Sequence, residues 1–356
     1  MKIISDWFQR FFSDPQTVIL TVMLVLLTSV ILFMGQDLAP VLASLVIAYL
    51  LEGVVRLLQY WTRLPRLLAV IVVFVLFLTF VLFLLFGLLP LASRQLTQLV
   101  QEFPSMIIKG QNLLLSLPAI YPEFITEAQV LEVINVIKAE IANVGQKVLS
   151  WSLAAGMGLI TITIYLVLVP LLVFFFLKDK DLIIGWLHRF LPHDHTLAQQ
   201  VWREVDHQMG NYVRGKFLEV LVVWAATFIA FTYMGLQFAM LLALMVGLSV
   251  IVPYIGAVVV TIPVMLVAFF QWGWNSDFGW LIGVYLVIQG LDGNILVPLL
   301  FSEVVDLHPI AIIAAVLVFG GLWNFWGVFF AIPLATVVQS IIKAWPQQTA
   351  VLPAVK

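Results

Sequence analysis

The sequence predicts an all-α polytopic membrane protein. It should have about five leading transmembrane helices, then two re-entrant helical hairpins flanking a broken transmembrane helix, roughly eight to ten hydrophobic segments in all. Three observations lead there. The chain of 356 residues is 63% hydrophobic and only 10% charged, and its mean hydropathy is +1.11. Soluble domains average about 45–50% apolar and about 25% charged, so no soluble core accounts for this surface. Apolar runs recur along the whole chain. One of them carries an acid, Asp292, among glycines and a proline.

Residues 1–12 (MKIISDWFQRFF) mix charges with aromatic rings and precede the first apolar run without a small-residue cleavage site. They read as an interfacial amphipathic segment or a frayed terminus, not as a cleavable signal. Four spans follow. Residues 17–35 are uninterrupted and apolar. Residues 38–51 start with Pro40, tolerated in a first helical turn, and can extend through 52–58. Residues 67–91 are the greasiest run. Residues 150–177 form the fourth span, with Pro170 expected to kink it.

The expected organisation is therefore an N-terminal part at 1–92 and a polar segment at 93–149. The fourth span (150–177), a second polar segment (178–216), a core (217–345) and a tail (346–356) complete it. Pro104, Pro118 and Pro122 should cut the first polar segment into short pieces. Its second half places Val130, Ile134, Ile137, Ile141, Val144 and Val148 at helical spacing, an amphipathic helix. Lys and Arg concentrate at the N-terminus, in 52–66, in 178–216 and at the C-terminus. By the positive-inside rule both termini are cytoplasmic and 93–149 is extracytoplasmic.

A fifth span is expected at about 217–234. Beyond it the apolar runs shorten to roughly 13–17 residues, below the roughly 20 a spanning helix needs. Runs 236–252 and 257–272 flank one break, containing Pro253, Tyr254 and Gly256. Runs 310–322 and 328–343 flank another, containing Trp323, Asn324 and Gly327 and preceded by Gly320 and Gly321. Each break leads through a glycine and a short apolar stretch to Ile-Pro and a branched residue. With one gap the two match, an inverted repeat of the kind secondary transporters use.

Between the hairpins lies the stretch 288–298 (IQGLDGNILVP). A charge at membrane depth costs a few kcal/mol on insertion scales and marks pathways or partners. Asp292 is therefore expected to bind a coupling ion or solute, with Gln289 and Asn294 orienting it. Gly290, Gly293 and Pro298 would free backbone carbonyls there. The other reading is an Asp that caps a half-helix or pairs across the bundle. The hairpin tips are expected to gate, or alternatively to serve close packing through their small residues.

Other polar residues read as structural. Glu52 and Arg56 form an i, i+4 pair. The cluster Lys178 to Asp181 is a stop-transfer signal. Glu219, near Arg214 and Lys216, is expected to be paired and near the surface. His188, His193 and His195 fall beside Pro192 in an expected loop, without a thiol, and are not read as a metal site. The chain lacks cysteine, which excludes disulfides and thiol chemistry and leaves the redox compartment open. A net charge of -2 gives no attraction to nucleic acid. No Walker, Rossmann, HExxH or nucleophile-elbow pattern is present, so neither an ATP-driven pump nor an enzyme is indicated, and no cofactor is expected beyond coupling to protons or sodium.

Several stretches together resemble the autoinducer-2 exporter family, in its PerM-type permease branch. They include 48–52 (AYLLE), 176–180 (FLKDK), 212–216 (YVRGK), 251–256 (IVPYIG), 291–294 (LDGN) with Pro298, and 319–323 (FGGLW) on to Gly327 and Ile332-Pro333. The resemblance covers almost the whole chain. It implies an inner-membrane permease and a homo-oligomer, with pentamers described in the family. Some relatives are described as autoinducer-2 exporters and others as sodium–proton antiporters. Many relatives carry Glu where this chain has Asp292, so the ion preference is left open. A small polar solute, a monovalent cation and a membrane scaffold role without transport all remain as functional readings.

Overall fold

The computed structural model describes residues 38–120, 122, 126–189, 196–301 and 307–344. The interfacial segment 1–12 and the first span, 17–35, lie outside the described residues, as do His193, His195 and the tail 346–356. The described elements are all helical: the chain is an all-α polytopic membrane protein, and five of its helical stretches are long and apolar enough to cross a bilayer.

Helix α1 (Ala39–Thr62) starts with Pro40 in its first turn and continues through the amphipathic extension in one piece. It stops where Arg63 turns left-handed and donates its N–H to the Gln59 carbonyl, with Pro65 preventing resumption. Helix α2 (Arg66–Phe83), a π turn (π1, Leu84–Leu88) and α3 (Leu89–Ile120) follow without interruption. Pro104 and Pro118 therefore do not cut the polar segment as expected; both lie inside α3. A proline removes one backbone bond, and the turns on either side of Pro104 hold the rest of a 32-residue helix.

Helix α4 (Glu127–Lys178) joins the expected amphipathic helix and the fourth span into 52 residues and passes through Pro170. Its start is a capping box, in which Gln129 N–H donates to Thr126 Oγ1 and Thr126 N–H to Gln129 Oε1. Val130 and Ile134 are buried, as their spacing predicts; the side chains of Ile137, Ile141, Val144 and Val148 lie outside the described residues. A short α5 (Lys180–His188) follows. Helix α6 (Thr196–Tyr233) again runs through a change of polarity, from the second polar segment into the fifth span. The divisions drawn at 93, 150 and 217 all fall inside continuous helices.

The first hairpin pairs α7 (Ala239–Ser249) with α8 (Ile255–Trp272). Helix α7 has 11 residues and is apolar all round, and most of it is buried. Helix α8, at 18 residues, reaches span length, so only the first arm is as short as expected. The central span is α9 (Ser276–Leu291), a second π turn (π2, Asp292–Leu296) and α10 (Val297–Phe301). The second hairpin is α11 (Pro309–Phe329), broken at Trp323 and Asn324, followed by α12 (Ala331–Ala344).

Both π turns stand in the same place relative to a proline. Each ends two residues before a proline, Pro90 and Pro298. A prolyl ring crowds the carbonyl four residues back, here Phe86 and Asn294, and a widened turn moves that carbonyl aside. The wide bonds run from Leu89 N–H to the Leu84 carbonyl and from Val297 N–H to the Asp292 carbonyl.

Helix α6 is the hub. It packs on α7, α12, α10, α9 and α1. The main core joins α6, α7, α8 and α9 through Val223, Phe231, Leu242, Val264, Leu281 and Tyr285. A second core joins α1, α2 and α4. Helix α3 reaches the first hairpin, where the Gln95 amide oxygen accepts from Leu241 N–H at 2.8 Å, satisfying a donor in the first turn of α7. Large apolar side chains such as Leu76, Phe86, Val167, Ile229, Val258 and Leu299 point outward, a surface that suits lipid and not water.

Candidate functional site

The site is built around π2. Its wide turn and the two adjoining glycines leave Asp292 half-buried on the side of the span that meets α6. Among the described residues, Oδ1 of Asp292 is buried and has no hydrogen-bond partner. Such an atom costs about 1–3 kcal/mol to leave unmet, and more when charged. Asp292 and Lys216 of α6 attract each other electrostatically, and Asp292 and Glu219 repel.

Lys216 and Glu219 are both buried, one turn apart, with Nζ and Oε2 separated by 2.6 Å. Glu219 is paired, as the sequence suggests, but it is not near the surface: its side chain is 2% exposed. The reason is that α6 is hemmed by both hairpins. The ammonium also donates to the Val250 carbonyl at 3.0 Å, at the C-terminal end of α7, and lies 5.1 Å from the centre of the Phe301 ring. One turn earlier on α6, the buried Tyr212 hydroxyl donates to the Phe329 carbonyl of the second hairpin at 3.2 Å, and its ring sits 5.7 Å from Phe301. One face of α6 thus touches the first hairpin, the central span and the second hairpin.

A whole-chain comparison bears on this arrangement. The family model described as AI-2E family transporter matches residues 20–347, including α6, both hairpins and π2. The chain belongs to the AI-2E transporter family. It is 46% identical over 346 residues to "Putative permease PerM" of Escherichia coli (strain K12), covering 97% of this chain and 98% of that protein. It is 26% identical over 318 residues to "Putative transport protein YueF" of Bacillus subtilis (strain 168), covering 87% and 84%. The AI-2E family chain is a multi-pass membrane transport protein.

The remaining sequence-predicted residues of this AI-2E transporter fall in three places. Gln289 lies one turn before Asp292 but donates to the Tyr285 hydroxyl at 2.7 Å. That hydroxyl is 2.9 Å from Thr261 Oγ1, which donates to the Ala257 carbonyl, so a polar chain ties the central span to α8. Asn294 is exposed and folds back on its own helix, donating to the Gly290 carbonyl at 2.8 Å. It is not brought to the Asp292 carboxylate. Gly290, Gly293 and Pro298 shape the π turn instead of unwinding the helix, so the expected break is a bulge in a helix that continues.

The hairpin tips share a construction. Tyr254 and Asn324 both have positive φ, 62° and 50°. A glycine follows each, where the arms approach so closely that a Cβ would meet backbone. At Gly256 it would lie 1.8 Å from the Ser249 carbonyl oxygen, and at Gly327 1.8 Å from the Phe319 carbonyl oxygen. Small residues therefore serve close packing here, with the turn held left-handed beside it. Pro253 precedes the first tip. Gly320 lies against Val328, where a Cβ would come within 2.8 Å of Cγ2; Gly321 is open. Trp323 stacks on Phe319 at 5.9 Å.

At the other end of α1, Glu52 does more than pair with Arg56. Its oxygens lie 3.3 Å from Arg56 Nε, 3.1 Å from Arg66 Nη2 and 3.0 Å from Lys180 Nζ. Arg66 also donates to the Leu177 carbonyl at 3.0 Å. Lys180, read from sequence as stop-transfer charge, thus helps join α1, α2 and the α4–α5 junction. Sequence reasoning missed Lys216, Glu219 and Tyr212 as a unit. The signal was there in their spacing of four and three residues at the polar end of an apolar run.

Proposed function

We propose that this protein is a secondary transporter of the inner membrane, exporting a small polar solute in exchange for or together with a proton or sodium ion. The observation that carries this reading is the buried, unpartnered Oδ1 of Asp292 at a π turn beside Lys216 and Glu219. An acid held there unmet is poised for something that arrives and leaves. π turns inside helices are frequent at functional sites. Family membership and the printed names of the relatives, permease and transport protein, support transport. Autoinducer-2 and similar polar signals are the solutes proposed, on the family's description, and a homo-oligomer with cytoplasmic termini is the arrangement proposed.

A second reading, a monovalent cation–proton antiporter, is favoured by charge. Asp292 and Glu219 are two acids beside one ammonium, so the site carries one excess negative charge whenever both are ionised. A single monovalent cation or proton balances it.

Reconstitution in proteoliposomes tests both. Asp292→Asn is expected to abolish flux while the protein purifies and melts as the parent does. Normal flux in that variant would overturn the assignment. A trapped pH dye separates the readings, because an antiporter moves protons when sodium alone is added and a solute-coupled exporter waits for its solute.

A further inference from the structure

We propose that Lys216 is a positioning residue that reports the occupancy of Asp292 to the tip of the first hairpin, latching that tip through the Val250 carbonyl when Asp292 is neutralised. The inference rests on the reading of Asp292 as the transport site and extends it to how the site governs a gate.

The Lys216 ammonium is a compact charge on a flexible stem. It has three donors and no acceptor. Glu219 Oε2 stands at 2.6 Å, the Val250 carbonyl at 3.0 Å and the Phe301 ring face at 5.1 Å. Those partners surround it: an ion-paired carboxylate, a hydrogen-bonded carbonyl and a π face. Nothing is left for Asp292, whose Oδ1 stays unpartnered although the same ammonium attracts it. Lys216 can serve Asp292 only by giving up one of its present partners.

Which partner it gives up follows from strength. Glu219 lies closest, as an ion pair at 2.6 Å, and Coulomb attraction to an opposite charge holds whichever way the N–H groups point. The Val250 carbonyl is neutral, so it is the one released. Val250 follows the last residue of α7, where carbonyls lack helical partners and the helix dipole favours a cation. Lys216 is therefore the cap of α7. Beyond it runs the turn to Tyr254, in which φ is 62°.

Two states result. With a cation or proton on Asp292, the pull on Lys216 vanishes, the ammonium stays on Glu219 and Val250, and the tip is held. With Asp292 bare and charged, the ammonium is drawn toward it, α7 loses its cap and the tip loosens. Phe301 stays beside the ammonium in both, since its ring also packs against Tyr212.

The chain has no cysteine, so a single reporter thiol reads the tip. Ile255 opens α8 next to the turn and is 44% exposed. In full-length Ile255→Cys protein in proteoliposomes, the rate of modification by N-ethylmaleimide is the measurement. Asp292→Asn, which mimics the neutralised site, is expected to slow modification several-fold. Lys216→Met combined with Glu219→Gln, which removes both buried charges together, is expected to label several-fold faster than Asp292→Asn. Adding Asp292→Asn to that pair should then change nothing further. The latch is overturned if the charge-free pair labels as slowly as Asp292→Asn does, or if Asp292→Asn still slows labelling without Lys216. Flux through Asp292→Asn without the reporter separates this from the underlying reading. Abolished flux with unchanged labelling sinks the latch alone, whereas intact flux sinks the transport site itself.

Discussion

At the scale of single residues, magnitude separates contacts that matter from those that do not. Glu52 is a buried acid held by three cations, with its side chain 10% exposed while Arg56 is 69% exposed. Glu52→Gln removes a charge-assisted network and should cost about 2 kcal/mol. Arg56→Gln loses a surface pair and should cost about 0.5 kcal/mol or less. Thermal melts of the detergent-solubilised protein check this, with a fall of several degrees expected for the first and almost none for the second. Equal shifts would mean that Arg66 and Lys180 do not share the load. Gly256→Ala sets a methyl against backbone at Ser249, which cannot swing away as a side chain would. Overpacking of this kind costs about 1–3 kcal/mol. Gly290→Ala, at a glycine with open space around it, should be tolerated in the same melt.

At the scale of elements, the π turn at 292–296 is the feature whose cause and effect can be separated. If Pro298 forces it, Pro298→Ala allows ordinary helix geometry. A residue then adds about 100° of rotation, so relaxing the bulge turns Asp292 away from α6 or shifts everything after it. The same change removes a helix-interior proline, worth up to about 3 kcal/mol. The expected outcome is a melting temperature equal to or above the parent's, with flux down about tenfold or more. Pro90→Ala makes the equivalent change at 84–88, away from the site, and should leave flux intact. Loss of flux in both would show that the bulges act through packing in general.

The helices also show where sequence reading stopped. The turns at Tyr254 and Asn324 and the Glu52–Arg56 pair were legible because local chemistry determines them. Proline, glycine and spacing carry that information along the chain. The continuity of α3, α4 and α6 was not legible. A helix does not stop when its surroundings change from water to lipid; only its side-chain pattern changes. Pro104 and Pro118 read as breaks because their lost bond is visible in the sequence, whereas the compensating turns are not. Lys216 was assigned to a polar segment because its neighbours in sequence are polar. Its neighbours in space, Val250 and Phe301, are 34 and 85 positions away along the numbering.

For the molecule as a whole, α6 is where motions must be reconciled. Tyr212 holds the second hairpin and Lys216 the first, one turn apart on the same face. Tyr212→Phe deletes one neutral bond, about 1 kcal/mol of stability. If the two hairpins move in concert through α6, the variant should also lose solute or ion flux by far more than that stability change predicts. Flux in proteoliposomes beside a melting curve decides it; a proportionate loss in both would make Tyr212 a packing residue only.

One other dimension has a mechanical meaning. The unbroken stretch Arg66–Ser116 is 51 residues, a contour of about 77 Å, against about 30 Å of hydrocarbon. Some 45 Å of its contour is therefore more than the hydrocarbon takes up along the normal, and α4 packs beside it. Its base is fastened to α7 through Gln95. A weak tug at the far end, acting over that lever, becomes a strong twist where the short buried arm begins.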